Sequence, residues 1–357
     1  MSSRRTAENA NSRGRLASTR ASSFNRVRGS RRLENIASVS RSSGLEKDGD
    51  ALKDLRTQEE YRQFIQGKLD SFWARPAHSS DQQSQEIREN ILILFRECTL
   101  HISAVELDFP GGKLREGIVA SKRNDRFSVQ VYETSLYLST IFDNTRQLGS
   151  VLAYFIPNRP DTDPTEALSF HTQSANAVLV ALVNQLVLGY PSQNACRRSV
   201  HAIPGNVLPR ASRRWILDLL SSLWARNFSK FEKLTRQTTF IPLIESSSLT
   251  TGLGGMSISD SSAIIMPDHD LAEEALCHAI DALRLRVRNS AWKILCSSYR
   301  ELACHSNSET RDWLVRSLVL AEDHSALEEW LEEKKKAGHV RPKEGVEGRW
   351  IVCKVSQ

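Results

Sequence analysis

The chain has 357 residues, 40% of them hydrophobic and 25% charged, with a formal net charge of +6. At ~150 residues per domain this length buries a sizeable core and points to two units rather than one. Six scattered cysteines (98, 196, 277, 296, 304 and 353), with no C-x-x-C pair and no signal peptide, argue against export and for a reduced intracellular compartment. The longest apolar run, AVLVALVNQLVLGY at 177–190, is broken by Asn184 and Gln185. It falls short of the ~20 residues a membrane span needs and reads as a buried helix.

The charge is uneven. Residues 1–41 hold ten arginines, no lysine and only Glu8 and Glu34, a sum of +8 that leaves −2 for the rest. With so few apolar residues to offset the entropy of ordering, residues 1–50 form an Arg/Ser-rich tail expected to be disordered. The tail reads equally as a nucleic-acid contact or nuclear-entry signal and as a solvated, phosphorylatable leader.

From residue 51 to 286 apolar and charged residues interleave at helical spacing. Leu55, Tyr61, Phe64, Leu69 and Phe72 predict one helix and EIRENILILFR at 86–96 another. Residues 97–112, ECTLHISAVELDFPGG, read as an insertion, because deleting them places Ile91, Phe95, Leu114 and Ile118 on one helical stripe. SVQVYETSLYLSTIFDN at 128–144 lacks the strict alternation of a strand. At helical spacing Phe127, Val131, Ser135, Leu138 and Ile141 or Phe142 share a side, with Glu133 and Thr140 off it, and Asp143 and Asn144 end the helix. ALSFHTQSANAVLVALVNQLVLGY and ASRRWILDLLSSLWARNFSKFEKLTR are further helices, the second broken around Asn227, with turns at Pro191 and at Pro204 and Gly205. Such helix pairs predict a mostly α fold, an α-solenoid in which each pair covers its neighbour's apolar face. Residues 246–268, rich in serine and glycine, are expected to be a flexible loop.

Residues 287–357 have a different texture. A helix over 289–303 presents Trp292, Leu295, Tyr299 and Leu302. Capping boxes at Ser306 with Glu309 and at Ser325 with Glu328 start two more, carrying Trp313, Leu314 and Leu318, then Leu327, Trp330 and Leu331. Lys334, Lys335 and Lys336 suit the last helix's carbonyl end and Gly338 its termination. HVRPKEGVEGRWIVCKV then predicts a small β-hairpin, with Trp350 and Val352 on one side of its second run. Three helices followed by a hairpin is the winged-helix arrangement.

Three segments carry a resemblance: KLREGIVASKRNDRFSVQVYETSLYLS at 113–139, LRVRNSAWKILCSSYR at 285–300 and ALEEWLEE at 326–333. With helical repeats running into a C-terminal winged helix, the chain resembles the PCI domain, named for the proteasome lid, the COP-nine signalosome and the third translation-initiation factor. Within that group it is most similar to the branch that includes GANP and the yeast Sac-three and Thp-three proteins. The resemblance implies that Tyr132 and Glu133 are packing and capping positions. It also implies a nuclear adaptor, present in the cytoplasm as well, acting in mRNA maturation or export. Its expected partners are another PCI-domain protein, a small acidic subunit and RNA, with no membrane, small-molecule substrate, metal or cofactor. Where the family commonly has an acidic, glutamine-rich repeat, IFDNTRQLGSVLAYFIP is neutral and apolar, and the sequence ends just after the wing, as a small member would. The alternative within the same resemblance is an architectural subunit of a proteasome-lid, signalosome or initiation-factor type assembly.

Candidate nucleic-acid contacts are Arg284, Arg286, Arg288, Lys293, Lys334, Lys335, Lys336, Arg341, Lys343 and Arg349, with Arg311, Arg316 and Lys354 nearby. Glu328, Glu329, Glu332 and Glu333 would repel a phosphate backbone from the last helix, which favours a protein partner, with Trp330, Trp350 and Val352 as candidate contacts. That disfavours a stand-alone DNA-binding regulator. Cys277-His278 and Cys304-His305 are poor zinc sets, since helix neighbours point ~100° apart. TTGLGGMS lacks a phosphate-loop lysine, and no H-E-x-x-H or G-x-S-x-G is present, so no enzyme is expected.

Overall fold

The computed structural model describes residues 51–73, 113–156, 173–244, 271–305, 309–320 and 325–353. The expectations for the tail at 1–50, the helix at 86–96, the insertion at 97–112 and the loop at 246–268 lie outside these residues. Within them the protein is mostly helical, with one small three-stranded sheet.

A 3-10 turn (Ala51–Lys53) precedes α1 (Leu55–Trp73), and α2 (Lys113–Ala120), α3 (Arg126–Ile141) and α4 (Thr145–Phe155) follow. Next come α5 (Ala175–Gly189), α6 (Asn194–Ala202), α7 (Arg210–Trp224), α8 (Phe228–Leu234), α9 (Gln237–Phe240) with a 3-10 turn (Ile241–Leu243), and α10 (Leu271–Ser298). Neighbours in sequence pack in pairs: α3 with α4, α5 with α6, α7 with α8. The 28-residue α10, however, returns to lie along α5 and α3. A row in which each pair touched only its neighbours would not do this.

The stretch at 128–144 is helical, and its ends explain themselves. The Asp125 carboxylate accepts the Ser128 N–H at 3.0 Å to open α3. Asp143 takes φ +50 past the other end, and Asn144 caps α4 by accepting from Gln147 N. Thr140, expected off the buried side, is buried instead: it donates to Leu136 O and accepts from Asn184 Nδ2 of α5 at 2.9 Å. With α4, α5 and α10 packed around it, α3 has little free side to leave polar. Asn184, the polar break in the apolar run, is thereby satisfied in the core.

Tyr132 stacks on Tyr154 of α4 with ring centroids 3.8 Å apart. Glu133 Oε1 accepts the Ser174 N–H at 2.8 Å, and Ser174 Oγ in turn accepts from Ala177 N to cap α5. A side chain of α3 therefore closes the N-terminus of the most buried helix. Leu55, in contrast, is exposed, although it matches the apolar spacing of α1.

One glycine is required by contact. A Cβ on Gly117 would stand 2.4 Å from the Leu52 carbonyl oxygen, so only glycine lets α2 meet the 3-10 turn. Gly117→Ala is expected to destabilise the protein by about 1–3 kcal/mol, read as a lower urea midpoint. Burial, opposed by the Ser174 N–H, holds the Glu133 carboxyl above its ordinary 4.5. The folded chain thus keeps that proton at a pH where the unfolded chain has released it, and stability falls as pH rises through this window. Glu133→Gln does not titrate, so it is expected to gain stability relative to the unaltered chain as pH rises from about 4.5 through the raised value. Urea midpoints across a pH series measure this.

The terminal part is built from the end of α10, β1 (Glu301–Ala303), α11 (Glu309–Ser317), α12 (Ala326–Lys336), β2 (Val340–Pro342) and β3 (Arg349–Val352). The strands are antiparallel in the order β1-β3-β2, with Leu302 opposite Trp350 and Pro342 also opposite Trp350. The helix expected over 289–303 is corrected twice. It begins at Leu271, and it ends at Ser298 so that residues 301–303 can pair with β3. Leu302 is buried by that pairing, whereas Tyr299 stays largely exposed with its ring edge on Trp313. The capping box at 325 is not formed either: Ser325 makes no side-chain cap bond, and Glu328 is turned to Arg311. Ser306 lies outside the described residues. The expected end of α12 does form. Gly338 sits at φ +75, with its N–H on Lys335 O and that of His339 on Lys334 O, the paired closure a left-handed residue permits.

Two apolar clusters result, and α10 contributes to both. Its residues through Val287 join the large cluster, and those from Ala291 join the terminal one around Trp292, Leu314, Leu327, Trp330 and Val352. The division expected between 286 and 287 therefore falls inside a continuous helix.

Candidate docking site at the joint between the clusters

α11 ends at Ser317, and Val319 takes φ +53. Carbonyls at such an end have no partner within their own helix and carry the negative pole of its dipole. Two arginines of α10 fill that need. Arg288 donates from Nε to Leu318 O at 3.1 Å and from Nη2 to Val319 O at 2.9 Å. Arg284 reaches Val319 O and Leu320 O with one nitrogen and Thr235 Oγ1, at 2.8 Å, with the other. The expectation that Arg284 and Arg288 contact nucleic acid is thus corrected, because their donors are committed to backbone carbonyls and the Thr235 hydroxyl. Arg288→Ala is expected to cost about 2 kcal/mol of stability, seen in urea denaturation followed by tryptophan fluorescence.

Much of the remaining charge is also paired internally. Glu301 of β1 accepts from Lys343 at 2.9 Å and from Arg349 at 3.3 Å across the sheet, and the Lys343 bond, ahead of the charges, holds its carboxyl below the usual range. Lys334 meets Glu333 and stands 5.4 Å over the Trp330 ring, Lys335 meets Glu332, and Arg311 forms a bidentate pair with Glu328. Arg286, Lys293, Lys336 and Arg341 remain exposed, as does Arg316. Lys354 lies outside the described residues.

The apolar partner candidates need the same correction. Trp330 is only 6% exposed, edge-on to Trp292 with centroids 4.7 Å apart, and Val352 is buried beside it. Both complete the terminal core and are not available to a partner. Trp350 is half-buried at the mouth of a depression lined also by His305, Arg311, Glu328, Pro342 and Val346.

The most exposed large apolar side chain among the described residues was not predicted. Trp224 ends α7 and is 76% exposed, although it continues the buried row Ile216 and Leu220 at intervals of four. It rims a groove of about 480 Å³ at the joint, together with Tyr190, Arg226, Phe228, Lys293 and Ile294. The amide of Gln193 fits with its nitrogen on Leu220 O (2.7 Å) and its oxygen on Trp224 N (3.1 Å), fixing the base of the rim. Phe228 packs against both clusters, so the groove follows the seam between them. Spacing alone assigns Trp224 to the core; the sequence signal is that Arg226 and Asn227 stop the helix directly after it.

Among the described residues no three His, Cys, Asp or Glu side chains converge as around a metal ion, and no helix is long and apolar enough to cross a membrane. Cys277 and His278 lie on α10, Cys304 and His305 beyond β1. Burial pushes the thiols of Cys277 and Cys304 up to about 11, which keeps them protonated at neutral pH. Compared with family models, curated proteins and solved structures, the chain matches none.

Proposed function

We propose that the chain is a non-catalytic docking scaffold, an array of helix pairs closed by α10 and joined through it to a winged-helix module. The observation that carries this is the terminal order helix, strand, helix, helix, strand, strand with the sheet arranged β1-β3-β2. That is the topology expected of a winged helix, with the loop between β2 and β3 as the wing. The joint adds support: Arg284 and Arg288 fasten the module to the helical body, as docking of a small domain on a larger one requires.

On this reading the chain is a small PCI-type protein of the GANP, Sac-three and Thp-three branch. It works in nuclear mRNA maturation or export by pairing with another PCI-domain protein and touching RNA. The alternative, an architectural subunit of a lid, signalosome or initiation-factor type assembly, draws support from one feature. The wing's Lys343 and Arg349 are neutralised by Glu301, which leaves less charge there for phosphates. Affinity capture of the tagged full chain from nuclear extract, followed by mass spectrometry, tests both. A PCI-domain partner with mRNA-export factors is the expected result. Lid or initiation-factor subunits in their place select the alternative, and capture of neither kind of subunit would overturn the scaffold proposal.

A further inference from the structure

The groove beneath Trp224 is not explained by packing. Its described lining offers three aromatic rings, Tyr190, Trp224 and Phe228, two exposed cations, Arg226 and Lys293, and no carboxylate. Neither cation belongs to an ion pair among the described residues, whereas the neighbouring Lys230 is held by Asp218 at 2.8 Å and Arg236 by Glu232 at 2.9 Å. An indole face with that exposure, sharing a groove with two cations that form no ion pair among the described residues, fits an occupant that is flat, apolar and anionic at its margins.

We propose that this groove binds single-stranded nucleic acid, with one base stacked on Trp224 and the adjoining phosphates held by Arg226 from one wall and Lys293 from the other. Stacking on an aromatic ring needs no particular base, and cations along a groove follow the backbone. An acidic peptide would satisfy the two cations but leave the indole face largely uncovered, so the nucleic acid uses more of what is there. The tail at 1–41, with its sum of +8, is repelled by this groove and suits the same polyanion further along its length. The inference deepens the RNA half of the proposed function by naming where a base is held, in the helical body rather than at the wing.

The test uses the full chain and a fluorescein-labelled ten-nucleotide oligouridine RNA, read by anisotropy at several salt concentrations. Trp224→Ala is expected to weaken binding about tenfold. Trp224→Phe, which keeps a ring, should stay close to the unaltered protein. The double variant R226E/K293E should weaken binding and lower the salt slope by about 1.4, as two lost phosphate contacts on a single strand require. Far-UV circular dichroism checks that each variant is folded, which the exposure of all three side chains favours. Equal affinity in Trp224→Ala and the unaltered protein would overturn the assignment while leaving RNA contact to the tail. So would Trp224-dependent binding of a deca-glutamate peptide without binding of the RNA. Conversely, Trp224-dependent RNA binding in a protein that captures no PCI-domain partner would sink the scaffold reading and leave this site standing.

Discussion

The arrangement depends on helix ends being closed by side chains from other helices. An α-helix leaves its last carbonyls without partners, and once an end is packed against protein, water is not there to satisfy them. Arg288 and Arg284 close α11 in this way. Arg213 of α7 does the same for α6, reaching Val200 O, Ile203 O and Pro204 O. The indole of Trp215 donates to Leu234 O at the end of α8. At the opposite pole Glu133 accepts the Ser174 N–H ahead of α5. Each bond joins a helix to one that is not its continuation, so the closures that satisfy the backbone also set the order of the pieces.

Arginine suits this task better than lysine because its fork of donors reaches two or three carbonyls at once while staying charged. That explains how the positive charge of residues 284–349 divides. Two arginines of α10 are structural, Lys334 and Lys335 of α12 and Lys343 of the wing meet nearby glutamates, and a scattered remainder faces solvent. A tally of cations along the sequence cannot separate these roles. The same guanidinium serves a phosphate or a carbonyl, and only the position of the carbonyl decides.

The helices were largely legible because their signals are local: period, caps and breakers. α3 can be read from Val131, Ser135 and Leu138, α5 from its apolar run, and the end of α12 from Gly338. What could not be read depends on distant partners. Nothing near residues 299–303 ends a helix. Residues 301–303 become a strand because β3, some fifty residues on, offers Leu302 a place opposite Trp350. The early half of α10 carries a weak signal for a different reason, since Ala272, Ala275 and Ala279 dilute its apolar stripe although all three are buried. At the candidate site Trp330 and Trp224 exchange the roles their surroundings suggest. The tryptophan beside the lysines is core, and the one that continues a buried row is exposed.

The continuity of α10 governs how the two clusters behave together. Twenty-eight residues make a rod of ~42 Å, its first half seated among α3 and α5 and its second among Trp330 and the sheet. No hinge lies between them, so the terminal module cannot swing without turning helix that is wedged into the larger core. Its heading is inherited by everything bound to it.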